Sequence, residues 1–455
     1  MKIRALVPLS AILLTSILSA GKAHALCDGS EVSVSTINRT FSAGSQWIVT
    51  VKHNGCSGVV ISKATFKPTG GTARLVLERA AVAEIHVPYM TGAPRFLDVS
   101  SSTAGLGANA LELSQAECEE GQVTTIPVGS GNNGSVCIQN ADGGYGWHTD
   151  SDFHRAEAVR VFESSQLGFY NYINQWTFRD DGTIEVNMGL TGQLQVIGET
   201  PAYLPFGHRI NPESEPTPEV GVEHQHNIYY RLDFDIDGPG NDLVSRRVFS
   251  PFTGASPEDP DSTHHICATA GTCGQTKFVP IKTEAAQQFS IFEQNSWVIE
   301  DKLTKNQSGR HIGYEIVPRL NGLWRGRTSK DEPWAGAELW VTVHNRCELL
   351  VANNVARTSA ADPSPIPRDC GTPAKNLEAY LNGQSTDGKN IVVWYANRFN
   401  HHPRDEDSNV MPIEFVGFEI APRNFHHTNP TLPSGIVRPA TPPRPITPVP
   451  PGDTP

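Results

Sequence analysis

Residues 223–234 read Glu223-His224-Gln225-His226-Asn227-Ile228-Tyr229-Tyr230-Arg231-Leu232-Asp233-Phe234. From Asn227 onward side chains alternate, with Ile228, Tyr230, Leu232 and Phe234 on one face and Asn227, Arg231 and Asp233 on the other, which is the period of a β-strand. The same alternation, carried by β-branched and aromatic residues, recurs at Gln46 to Lys52, Val59 to Phe66, Arg74 to Leu77, Ala83 to Val87, Gly182 to Asn187 and Gln193 to Ile197. It returns at Ser296 to Asp301, Ile312 to Val317, Leu339 to His344 and Asn390 to Tyr395. Turn formers such as Gly70-Gly71, Asp181-Gly182 and Asp387-Gly388 separate many of these runs. No long stretch sustains a 3.6-residue period, and there is no βαβ rhythm, phosphate-binding glycine loop or short repeat. The expected fold is all-β and mostly antiparallel.

Length and composition agree. A chain of 455 residues has room for about three average domains, although all-β domains often run larger. Its 40 glycines and 34 prolines favour turns over long helices, and 38% hydrophobic residues suffice for a large core. A net charge of −12 argues against a nucleic-acid partner.

Lys2 and Arg4 precede the apolar stretch Ala5 to Leu18, which ends in Ala23-His24-Ala25, the pattern of a secretory signal peptide. Residues 1–25 are therefore expected to be removed, placing the product outside the cytoplasm with no membrane span in the mature chain. All eight cysteines follow that point, so disulfides are expected, the sequential set being Cys27–Cys56, Cys118–Cys137, Cys267–Cys273 and Cys347–Cys370. Residues 431–455 are rich in proline and read as an extended tail. Asn211 to Val220 reads as a surface loop.

Several groupings carry chemistry. Residues i and i+2 of a strand share a face, so His224 and His226 can present two imidazoles to one ion. His401-His402-Pro403-Arg404, next to Asp405-Glu406-Asp407, can add a third nitrogen. Three nitrogens with open positions suit Cu(II), or Zn(II) with a bound water. Asp233-Phe234-Asp235-Ile236-Asp237-Gly238 has the outline of an EF-hand loop, but Val244 stands where the twelfth-position glutamate belongs and flanking helices are missing. These aspartates either hold a hard cation or form a solvated strand face. No Gly-x-Ser-x-Gly elbow supports serine hydrolysis.

The order of the pieces resembles the catalytic domain of the copper amine oxidases. Gly168-Phe169-Tyr170-Asn171-Tyr172-Ile173-Asn174-Gln175-Trp176, Asp181-Gly182-Thr183-Ile184-Glu185 and Thr191-Gly192 resemble that family's cofactor-bearing stretch. His224-Gln225-His226 and His401-His402-Pro403-Arg404 resemble its copper segments, while Val87-Pro88-Tyr89 and Phe96-Leu97-Asp98-Val99 match upstream. The resemblance runs from about Gln46 to Pro433. It implies one large antiparallel β-sandwich over residues 26–430, and a homodimer. It further implies oxidative deamination of a primary amine, small or a lysine side chain, by dioxygen, yielding aldehyde, ammonia and hydrogen peroxide. Topaquinone would be made from Tyr170 with copper, Tyr172 being the fallback. Asp98 would be the base and Tyr89 the tyrosine that hydrogen-bonds the quinone. His224, His226 and His401 would bind copper, with His402 a non-ligand. Asp233, the Phe234 carbonyl, Asp235, Asn390 and the Ile391 carbonyl would form a peripheral calcium-like site, weakened because Asn390 stands where aspartate is usual. Cys118–Cys137 would be the family disulfide. Phe169-Tyr170-Asn171 departs from the family's Asn-Tyr-Asp/Glu, and the stretch between Tyr89 and Asp98 is short. The alternative reading is a copper-binding or interaction protein on the same fold with Tyr170 unmodified.

Overall fold

A strand with one apolar face needs a partner surface, and here two large antiparallel sheets cover each other. This computed structural model describes residues 30–90, 95–100, 105–128, 131–198, 207–252, 273–319, 322–324, 332–352, 370 and 376–432. Among them, a nine-stranded sheet runs Val32–Thr40, Gln46–Asn54, Gly58–Lys67, Arg74–Pro88, His224–Phe234, Ile391–His401, Leu339–Val343, Ala285–Gln287, with Arg95–Leu97 pairing off Arg74–Pro88. A ten-stranded sheet runs Cys273–Ile281, Asp242–Phe252, Ser296–Lys305, His311–Pro318, Met411–Arg423, Ile184–Gly192, Tyr170–Arg179, Phe153–Leu167, Asn133–His148, Gln122–Pro127. A small third sheet joins Val196–Gly198, Glu219–Val222 and Gly207–Arg209. No helix of the described residues is long and apolar enough to cross a membrane.

The core lies between the large sheets. Trp47 of the nine-stranded sheet packs edge-on to Phe178 of the other at 5.3 Å, and Tyr230 meets Trp176 at 5.9 Å and Phe418 at 5.1 Å. Polar ties cross the same gap: Trp47 Nε1 donates to the Arg179 carbonyl at 2.7 Å, and the Val59 amide to buried Glu163 at 2.7 Å. Such bonds satisfy groups that burial would otherwise penalise, and they fix how the sheets slide on one another.

The structure holds strands beyond the expected runs, among them Val32–Thr40, Phe153–Leu167, Asp242–Phe252 and Met411–Arg423, and it differs from expectation in further ways. Arg74 to Leu77 and Ala83 to Val87 are one strand, because Arg79 is neutralised by Glu31 at 2.9 Å and the polar interruption stays in the ladder. Asn133–His148, absent from the expected strands, absorbs its glycines through register shifts between Asp142 and Tyr145 and between Tyr145 and Trp147. Of Gln193 to Ile197 only the end is strand, in Val196–Gly198. His224–Phe234 is buried on both faces, since Trp334, Trp340, Trp394 and Tyr380 form a second core against its outer side. Cys118–Cys137 and Cys347–Cys370 are joined as expected, and Cys56 is disulfide-bonded. Cys27, Cys267, the leader and residues 433–455 of the tail lie outside the described residues.

Asp181-Gly182 makes the expected turn between Tyr170–Arg179 and Ile184–Gly192. Gly182 has φ +90°, and a Cβ there would stand 2.6 Å from the Phe66 ring. Gly70 has φ +67° with nothing within 4 Å of the same added atom. Gly182→Ala should therefore cost about 2–3 kcal/mol and Gly70→Ala about 1 kcal/mol. Urea midpoints measure both, and equal losses would remove the contact with Phe66 from the account.

Candidate active site

His224 and His226 share the inner face of their strand, and the antiparallel register places His401 directly opposite His224. One ligand nitrogen from each of the three lies within 4.8 Å of the others. Tyr170 comes from the other sheet, where it begins the strand Tyr170–Arg179 and pairs with Gly192. That glycine has φ +96°, and a Cβ would sit 2.6 Å from the Phe169 carbonyl, so only glycine lets the ladder close beside Tyr170. The sandwich thus brings a buried phenol onto three buried imidazoles. The Tyr170 hydroxyl is 2.7 Å from His224 Nε2 and 3.3 Å from His401 Nδ1.

Proton positions follow from the partners. His224 Nδ1 is 2.7 Å from the Val222 carbonyl, which only accepts, so Nδ1 carries the hydrogen and Nε2 a lone pair. His226 Nδ1 is 3.3 Å from the Tyr172 hydroxyl, whose own hydrogen is given to Asp98 Oδ2 at 3.0 Å, so Nδ1 is again the donor. His401 Nε2 is 3.1 Å from the carboxylate of buried Asp407, leaving Nδ1 as acceptor toward Tyr170. The outcome is that Nε2 of His224 and Nε2 of His226 face each other at 3.1 Å with no hydrogen to share. Protonating either is disfavoured: burial first, then the neighbouring histidines, push His224 down to about 3 and His226 well below its ordinary value. Converging neutral lone pairs with locked tautomers are what a nitrogen-loving cation requires, so the residues fit copper. Burial, reinforced by Tyr89 and Asp407, holds the Tyr170 hydroxyl protonated well above the usual range, so its ionisation needs that cation. His402 points away, more than half exposed and 3.4 Å from Glu223, as expected of a non-ligand.

Asp98 follows the short strand Arg95–Leu97 and is anchored by its amide on the Ile85 carbonyl at 2.9 Å. Burial raises its carboxyl to about 7, a shift the Tyr172 hydrogen bond works against. Tyr89 stacks on the His224 ring, centroids 4.5 Å apart and 17° from parallel, and its hydroxyl donates to Gln195 Oε1 at 3.3 Å beside Tyr170. Asp98, Tyr170, Tyr89, His224, His226 and His401 are therefore assembled at one place. Tyr172 does not replace Tyr170 at the histidines but links His226 to Asp98, a role its i+2 spacing from Tyr170 signals. The partners Val222 and Gln195, and Glu84, whose Oε1 accepts from the Val99 amide at 2.9 Å, carry no site signal in the sequence, and Asp407 appears there only as part of an acidic run. For Asp407, six residues past His401 in an acidic run, there was a signal. For buried Glu84 there was none.

The peripheral group is gathered at the other end of His224–Phe234. Asp233 and Asp235 are buried, not on a solvated face. Asp233 is already engaged, by Arg231 Nη1 at 3.0 Å and His344 Nδ1 at 2.9 Å. Unpartnered Asp235 Oδ1 and Asn390 Oδ1 fit a hard cation, whereas Asp233 as a free ligand does not.

The chain matches the enzyme domain of the copper amine oxidases over residues 43–436. It belongs to that family. It is 26% identical over 422 residues to the copper-containing amine oxidase gamma 1 of Arabidopsis thaliana and 27% identical over 413 residues to the histamine oxidase of Arthrobacter globiformis. Each alignment covers 85% of this chain and 56% of the relative, so the chain spans little more than half their length. The copper-containing benzylamine oxidase of Hansenula polymorpha superposes with TM-score 0.68 at 20% identity, over 87% of this chain and 62% of that one. The lysyl oxidase of Pichia pastoris gives 0.68 at 20%, over 85% and 52%. These two share the fold. In this copper amine oxidase domain the departures beside Tyr170 do not face the histidines: Asn171 takes the opposite side of its strand by alternation, and Phe169 is 56% exposed.

If Asp407 sets the His401 tautomer, Asp407→Asn should weaken Cu(II) binding by about ten-fold or more while leaving the fold intact. Competition with a chromophoric chelator reads this, and unchanged affinity would remove Asp407 from the metal's support.

Proposed function

We propose that the mature chain is a secreted copper- and topaquinone-dependent oxidase of primary amines, working as a homodimer with residues 26–430 as its catalytic domain and 431–455 as a tail. The observation that carries this reading is the Tyr170 hydroxyl held 2.7 Å from His224 among three neutral imidazoles, with Asp98 one hydrogen-bonded tyrosine away. Bound copper and the quinone derived from Tyr170 supply an electrophilic carbonyl and an electron sink for amine oxidation by dioxygen. The protein's own part is to hold and move protons. Asp98 takes the proton from the substrate's α-carbon, Tyr172 fixes one carboxylate oxygen by donating to Oδ2, and Tyr89 walls the ring position by stacking on His224. A small amine or a lysine side chain is the substrate class. The homodimer is supported by an apolar strip on the outer face of Met411–Arg423, where Ile413 and Phe415 stay 44% and 46% exposed over Gly189.

Adding Cu(II) in air to the purified chain should convert Tyr170, read by redox-cycling quinone stain and peptide mapping. Unmodified Tyr170 at full copper occupancy would sink the oxidase reading in favour of a binding protein. A base must be ionised to work, so kcat/KM should climb with pH through about 7, where burial places Asp98. Tyr172→Phe removes a bond that favours the ionised form, moving that limb to higher pH, and Asp98→Asn should abolish peroxide release while copper binding persists. A limb that stays put in Tyr172→Phe would separate Tyr172 from the base.

A further inference from the structure

The strand Arg95–Leu97 pairs with the end of Arg74–Pro88, Leu97 opposite His86, and there its ladder stops. Asp98 comes next. Its amide still reaches the Ile85 carbonyl at 2.9 Å and its carbonyl takes the Gly105 amide at 3.0 Å, but Val99 and Ser100 lie outside any strand. Alternation sends Leu97 to the second core and Asp98 the other way, into the sandwich, where the Tyr172 hydroxyl donates to Oδ2. A carboxylate at the end of a ladder can swing, and a base that swings loses its aim.

The stretch after Asp98 is held by a side chain in place of a strand. Glu84 stands opposite Tyr229 in the neighbouring ladder, on the outer side that faces the second core, and is fully buried. Its Oε1 accepts from the Val99 amide at 2.9 Å and from the Ile85 amide at 3.0 Å. Oε2 makes no hydrogen bond of good geometry, the Ser100 hydroxyl being a favourable but looser neighbour. One carboxyl group thus reaches from Arg74–Pro88 to both residues that follow Asp98. Burying a carboxyl group is costly, and a residue that only filled this space would be apolar. Burial raises Glu84 to about 7 in spite of its hydrogen bonds, with the nearby Asp98 charge acting in the same direction, so an ionised Asp98 favours a protonated Glu84.

We propose that Glu84 is a positioning residue for the base: from behind the sheet it fixes the aim of Asp98 by holding the segment that follows, and it does not touch substrate. The proposal rests on the reading of Asp98 as the base.

The test compares wild type with Glu84→Ala and Glu84→Gln, each as the full copper-loaded chain. Hydrogen–deuterium exchange over residues 95–100 reads the hold on Asp98 without any turnover. Benzylamine and its α-deuterated form then read the chemistry, per mole of quinone. In Glu84→Ala, exchange over 95–100 should quicken at least about tenfold while His224–Phe234 stays protected. There kcat should fall at least about tenfold with KM within about threefold, and the deuterium effect on kcat should grow, because proton abstraction alone has slowed. Glu84→Gln keeps an acceptor oxygen for the two amides and should return exchange and kcat to within about threefold of wild type. Unchanged exchange in Glu84→Ala overturns the proposal, as do fast exchange with unchanged kcat, a loss borne by KM, and a Glu84→Gln no better than Glu84→Ala. A wild type that forms no quinone sinks the oxidase reading instead, and exchange alone then decides whether Glu84 holds the segment. Should Glu84→Ala not fold, Glu84→Asp, one methylene short of the Val99 amide, takes its place under the same expectations.

Discussion

The contact on which the site depends is an unfavourable one: two imidazole nitrogens, each with its lone pair forward, 3.1 Å apart in a dry interior. Left alone this repels, and a proton is the obvious remedy, but burial and the third histidine oppose protonation. The arrangement persists because each ring's other nitrogen is committed elsewhere. His224 is held by the backbone two residues before it, His401 by Asp407 in the turn that follows it, and His226 by Tyr172 of the opposite sheet. A cation is the group that turns the repulsion into three bonds. Assembly of the two sheets is thus a condition of the metal site, since one of its three supports crosses the sandwich.

The same crossing joins the metal site to the acid–base group. The Tyr172 hydroxyl has one hydrogen to donate and gives it to Asp98, while its oxygen accepts from His226. A ligand and a carboxylate from different parts of the nine-stranded sheet are therefore spaced by one phenol from the ten-stranded sheet. Any shift of the sheets disturbs both, which explains why the interface is stitched by buried polar bonds such as those of Trp47 and Glu163 as well as by packing.

Much of this was legible in the residues. Alternation gives fewer than half of the strands but most of those that carry the site, the His-x-His pair announces its shared face, and the order of motifs marks Asp98, Tyr170 and His401 as partners although they lie far apart in sequence. What escaped depended on tertiary covering. His224–Phe234 looked half-exposed because Trp334, Trp340 and Tyr380, which bury its outer face, are remote in the chain. That covering also decides the fate of Asp233: Arg231 stands two residues away on the same face, a pairing any strand would show, but only burial makes it strong enough to remove Asp233 from the pool of free ligands.

The nitrogen cluster and the carboxylate cluster sit at opposite ends of one strand and on opposite faces of it. From His226 to Asp233 is seven residues, about 23 Å of extended chain. A one-residue slip would swap His224 and His226 for Gln225 and Asn227 inside the sandwich, and would expose Asp233 to the core while burying its ion-pair partners wrongly. Because both faces are packed, neither error is cheap, and the two clusters police one register between them. Their donor atoms differ as well, imidazole nitrogen at one end and carboxylate oxygen at the other, and these are donor sets of different softness. That separation of donor types is obtained here by the parity of residue positions along a single buried strand, because His224 and His226 fall on even positions facing the sandwich and Asp233 on an odd one facing away from it.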